Sequence, residues 1–159
     1  MKLMMGRIAL ITRVLAGTIG AGPKPADPLQ TFAFMIGSWT CSYTQGTQTA
    51  SYTATMSWAL GKTWIRQSDS WAGVGGDEGL FTYDPSKHQW TSLVMERDRS
   101  PTLFVAGNTG STRIAYRSVY PDTSMTDTID RISPTKYTIH FSQTVGGKTT
   151  NSVDVCIKQ

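Results

Sequence analysis

The stretch Phe32-Ala33-Phe34-Met35-Ile36-Gly37-Ser38-Trp39 decides the fold, because an apolar run stops at a glycine just where a long pattern of period two begins. A glycine and a tryptophan two residues apart at the start of the first strand suit a small barrel. Gly37 lets backbone and side chains approach closely, and the Trp39 indole closes one end of the interior. Upstream, Asp27-Pro28 reads as a helix start, an N-cap followed by proline at the first helical position. The segment through Ile36 is then a short helix or turn lying across one barrel mouth.

Downstream the period is that of strands. Tyr52, Ala54, Met56 and Trp58 alternate with Ser51, Thr53, Thr55 and Ser57, giving one apolar face. Lys62 to Trp71 reads as the next strand, followed by a glycine-rich turn. Further strand-like segments are separated by Asp84-Pro85-Ser86-Lys87, Arg97-Asp98-Arg99-Ser100-Pro101, Gly107-Asn108, Pro121-Asp122, Ser133-Pro134 and Gly146-Gly147. This spacing belongs to an up-and-down antiparallel β-barrel or to a sandwich, and the short connections favour the meander. The expected class is all-β, a barrel of about ten strands with a short N-terminal helix closing one end. A barrel that wide is not filled by side chains alone, so a hollow is expected.

Composition narrows the function. The 159 residues are one domain's worth, with 15 Lys and Arg against 11 Asp and Glu. Lys2, Arg7 and Arg13 all lie in the first stretch, so setting them aside leaves 12 basic against 11 acidic residues. A body so close to neutral carries no footprint for nucleic acid, and none is expected as a partner.

Residues 1–22 read as a secretory signal peptide: early basic residues, an apolar segment interrupted by Arg13, then small residues before Pro23. That segment is too short and too interrupted for a transmembrane span. Residues 23–30, with Pro23, Pro25 and Pro28, read as a linker, and 31–159 as the barrel domain. The implied location is periplasmic or secreted. In such a compartment Cys41 and Cys156 are able to pair. They fall in the first and last strands, which become neighbours only if the sheet closes. The alternative is two separate buried thiols.

Three motifs carry a resemblance: Met35-Ile36-Gly37-Ser38-Trp39-Thr40-Cys41, Gly79-Leu80-Phe81-Thr82-Tyr83-Asp84-Pro85, and Val155-Cys156-Ile157-Lys158. From about Phe32 to Lys158 the chain resembles a family of exported bacterial proteins with a domain of unknown function and a lipocalin-like barrel. More distantly, the glycine–tryptophan opening is similar to lipocalins, fatty-acid-binding proteins and haem-binding nitrobindins. These resemblances imply a calyx. Nitrobindins hold iron through a histidine near the C-terminal strand, with further glycines after the tryptophan. Here Thr40, Cys41 and Ser42 follow Trp39, and only His140, one strand before the last, offers a weak haem ligand. No cofactor and no metal site are therefore expected.

The expected function is binding of a small hydrophobic or amphipathic ligand inside the barrel, without catalysis. Alternatives are a scaffold without ligand and a haem-binding, nitrobindin-like barrel. No nucleophile elbow occurs, and the only glutamates, Glu78 and Glu96, form no paired-carboxylate pattern. Candidate ligand-binding residues are Trp58, Trp64 and Trp90 as apolar wall, with Arg66, Arg117 and Tyr116 as polar anchors. Fatty-acid-binding barrels hold a carboxylate with inward arginines and a tyrosine, which is the arrangement these three suggest. The competing reading puts the arginines on the outer wall, with Asp69, Asp127 or Asp130 as loose partners. Gly37 and Trp39 are assigned structural roles. Either a monomer or a homodimer is compatible with this reading.

Overall fold

The computed structural model describes residues 27–72, 75–97, 99–107, 110–121 and 124–159. The signal peptide expected over 1–22, and the linker up to residue 26, lie outside the described residues. Folding is already under way within the span expected to be linker. Helix α1 (Pro28–Thr31) is capped by Asp27, whose carboxylate accepts the Leu29 N–H at 3.0 Å. A single 3₁₀ turn, Ala33–Met35, then delivers the chain to the first strand.

Ten antiparallel strands follow: β1 (Gly37–Gln45), β2 (Gln48–Ala59), β3 (Trp64–Trp71), β4 (Glu78–Asp84), β5 (Gln89–Met95), β6 (Thr102–Gly107), β7 (Arg113–Tyr120), β8 (Met125–Ser133), β9 (Lys136–Val145) and β10 (Lys148–Lys158). Each pairs with its sequence neighbour, and β1 pairs with β10, so the sheet closes as an up-and-down barrel. The third strand starts later than the expected Lys62. Leu60, Gly61 and Lys62 take φ of 47°, 67° and 67°, a left-handed turn that no strand tolerates.

Closure brings Cys41 directly opposite Cys156, with Cα atoms 4.1 Å apart, and the two form a disulfide. Cys41 and Cys156 point inward, and the period of two then sorts every other side chain on their strands. Trp39, Cys41 and Tyr43 face the interior from β1, and Ser152, Asp154 and Cys156 face it from β10.

One end of the barrel is plugged. Leu29, Phe32 and Met35 are buried against Trp39, Tyr83, Trp90 and Tyr137. Phe32 meets Trp90 edge-on at 5.1 Å, and Trp39 meets Tyr137 at 4.7 Å. The Trp39 indole N–H donates to the Met35 carbonyl at 2.6 Å, tying the plug to the first strand. Gly37 sits where the chain turns from plug to wall. Its φ of 129° is open chiefly to glycine, and a Cβ there would press to 3.1 Å on the Lys158 side chain.

Candidate functional site

The hollow lies at the opposite mouth. It has a volume of about 610 Å³, within the range of small-molecule sites. Its rim is made by the β3–β4 loop and the β5–β6 loop, and its walls by inward residues of most strands.

One wall is aromatic. The Trp71 and Tyr52 rings stack at 4.2 Å with 22° between their planes, and Tyr43 meets Trp71 edge-on at 5.8 Å. Phe81, Ile129, Ile139 and Phe141 extend the apolar surface. The turn after Trp71 is drawn tightly against the third strand. Asp69 N–H donates to the Asp77 carbonyl at 2.8 Å, and Trp71 N–H to the Gly75 carbonyl at 2.9 Å. A Cβ on Gly76 would collide with the Asp69 carbonyl oxygen, so that approach requires glycine.

Set into these walls are three carboxylates: Asp69 from β3, Asp127 from β8 and Asp154 from β10. Burial drives Asp69 and Asp127 each up to about 7 and Asp154 up to about 6. Further carboxylates add to the rise, Asp77, Asp154 and Glu78 for Asp69, and Asp154 for Asp127. Two hydrogen bonds work the other way: Gln67 Nε2 donates to Asp69 Oδ2 at 2.7 Å, and Tyr52 O–H donates to Asp154 Oδ2 at 3.0 Å. Oδ1 of Asp69, Asp127 and Asp154 and the Tyr116 hydroxyl are buried with no hydrogen-bond partner. Such unmet acceptors cost on the order of 1–3 kcal/mol each. Burial, with Asp127 nearby, also pushes the Tyr116 phenol far above its usual range.

The residues singled out from sequence fall in three places. Tyr116 lines the hollow. Trp90 is fully buried at the plugged end, between Phe32 and Tyr83, and Trp58 is a half-buried neighbour of the core; neither borders the hollow. Trp64 alternates with inward Ile65 and so lies on the outer face. Arg66 and Arg117 are exposed on that face as well. Arg66 forms a two-pronged pair with Glu78, Nε to Oε2 at 2.8 Å and Nη2 to Oε1 at 3.0 Å. The arginine–tyrosine anchor expected for a carboxylate is therefore not assembled, because odd and even positions of a strand face opposite ways and the apolar neighbours claim the interior.

His140 is exposed on the outer wall, opposite in direction to Tyr137, Ile139 and Phe141, and does not reach the hollow. Among the described residues, no cluster of three or more His, Cys, Asp or Glu is arranged to hold a metal ion.

The three aspartates escaped the sequence reading, which named Asp69 and Asp127 only as outer-wall partners in its competing alternative and did not weigh Asp154. A signal was present in the alternation: Asp69 shares a face with Ile65 and Trp71, Asp127 with Ile129, and Asp154 with Cys156.

No family model matches the chain, and no curated protein matches it. Among solved structures, the chain is similar to one described as "Structure of EF1p2_mFAP2b bound to DFHBI". The TM-score is 0.38 at 9% identity, over 82% of this chain and 98% of that one.

Proposed function

We propose that this barrel binds a small amphipathic molecule in the hollow at its open mouth and performs no chemistry on it. One observation carries the reading: a cavity of about 610 Å³ whose aromatic wall also holds buried polar atoms without partners. A ligand body would replace water on Tyr43, Tyr52 and Trp71, and its polar group would satisfy the orphaned oxygens. The plug of Leu29, Phe32 and Met35 closes the other end of the barrel, so a ligand would enter and leave by the open mouth.

We further propose that the chain is an exported protein of the lipocalin-like kind its motifs resemble. A disulfide suits an oxidising compartment. Among the described residues no helix is long and apolar enough to cross a membrane.

Native mass spectrometry of freshly purified protein, with titration by the uncharged dye N-phenyl-1-naphthylamine, tests the binding reading. The expected result is saturable, single-site quenching of tryptophan fluorescence that Trp71→Phe diminishes. A single unliganded mass together with no saturable quenching would overturn it.

A further inference from the structure

The hollow is acidic inside a body that is nearly neutral overall. Of the described residues that line it, the cations are Arg97 and Arg99, both exposed at the rim, and Arg99 Nε pairs with Glu96 at 3.0 Å. Deeper in, the ionisable side chains are carboxylates and phenols. Tyr116 supplies evidence independent of the acidic cluster. It is 3% exposed, lines the hollow, and its hydroxyl has no partner. A buried phenol and three carboxylate oxygens left open together ask for a group rich in N–H donors.

The neighbouring wall suits the rest of such a molecule. Stacked Tyr52 and Trp71, with Tyr43 edge-on, offer π faces that attract an organic cation and apolar area for its body.

Resting on the binding reading above, we propose that the ligand is a small amphipathic amine, its protonated N–H-bearing head drawn to Asp127 and Asp154 and its apolar body laid on Tyr43, Tyr52 and Trp71. Cation binding then requires these carboxylates to ionise, so affinity depends on pH. Asp127 is faced by Tyr116 of β7, Tyr137 of β9 and Asp154 of β10. Asp154 is faced by Tyr52 of β2, Tyr137 of β9 and Asp69 of β3, and Asp69 in turn by Gln67, Asp77 and Glu78. Glu96, Arg97 and Arg99 stand at the rim. An alkyl ammonium stays charged throughout the neutral range. The pH dependence between 5 and 8 therefore reports the protein's carboxylates.

The experiment uses three matched probes, 4-phenylbutylamine, 4-phenylbutanol and 4-phenylbutyrate, titrated calorimetrically against the full barrel at pH 5 and pH 8. At pH 8 the amine should bind at least tenfold tighter than the alcohol, and the carboxylate weakest. Amine affinity should rise at least tenfold from pH 5 to pH 8 while the alcohol stays within about twofold. Asp127→Asn and Asp154→Asn should each remove most of the amine's advantage, and Asp130→Asn, on the outer face of β8, should leave it. Equal binding of amine and alcohol, or an advantage that survives both inner variants, overturns the cation and leaves the cavity reading standing. Failure of all three probes overturns both. If the asparagine variants do not fold, the pH comparison on the unaltered protein decides the matter.

Discussion

Trp39 shows how much one side chain does at the plugged end. Its ring is fully buried, its N–H is used by Met35, and the Lys158 ammonium lies 5.2 Å above its face while Lys158 also donates to the Phe34 carbonyl at 3.0 Å. Trp39→Phe would keep an aromatic ring but leave the Met35 carbonyl without its donor and a void beside Tyr137. The expected cost is roughly 2–3 kcal/mol in urea unfolding, from the lost hydrogen bond and the gap together. A loss below about 0.5 kcal/mol would show that the plug is not held through this residue. The role of Trp39 was legible because a tryptophan two residues past a glycine has few other uses in a barrel. The aspartates were not, because an acidic residue in an alternating strand is ordinarily read as solvent-facing.

At the scale of elements, the seam between β1 and β10 joins the two ends of the folded chain. Six residue pairs register across it, from Trp39 with Lys158 to Thr44 with Val153, and the disulfide stands among them. The bond encloses a sequence separation of 115 residues. For a loop of that length, the chain-entropy account allows up to about 4–5 kcal/mol. Cys41→Ser with Cys156→Ser should therefore lower the unfolding free energy by several kcal/mol, and reducing the unaltered protein should lower its thermal midpoint. Unchanged stability in both would mean that the ladder alone seals the barrel. The number and order of strands were readable from turn chemistry. The start of β3 was not, since a left-handed turn through Leu60 and Lys62 has no marker in residue type beyond Gly61.

For the whole molecule, the near-neutral composition conceals a separation of charge. Arginines such as Arg66 and Arg117 stand outside while Asp69, Asp127 and Asp154 stand within. This has a consequence for stability. The three aspartates release their protons at about 7, 7 and 6 in the folded barrel, above the ordinary carboxylate value of 3.8 expected when unfolded. The native state therefore retains protons that the unfolded chain has lost, and the stability this confers is present below about pH 4 and falls as pH rises through 6–7. Glu78, held low chiefly by its hydrogen bond with Arg66, acts in the opposite sense only in the acid range and near the surface. Unfolding free energy in urea should be greater at pH 5 than at pH 8 by several kcal/mol, at about 1.4 kcal/mol per pH unit for each aspartate that is protonated only in the folded barrel. Asp127→Asn should flatten that dependence. A barrel more stable at pH 8 than at pH 5 would show that the inner carboxylates are ionised and solvated in the folded protein.

The chain by itself determined an all-β meander, its strand count, the helical plug and the place of Trp39, because alternation, turn residues and a glycine stop are local properties. Only the tertiary structure decided which face of each strand looks inward. That choice depends on closure of β1 on β10, with Cys41 meeting Cys156, and it is a long-range event. On β3 it turned Arg66 outward and Asp69 inward, and on β7 it turned Arg117 outward while Tyr116 lines the hollow, because residues one apart on a strand face opposite ways.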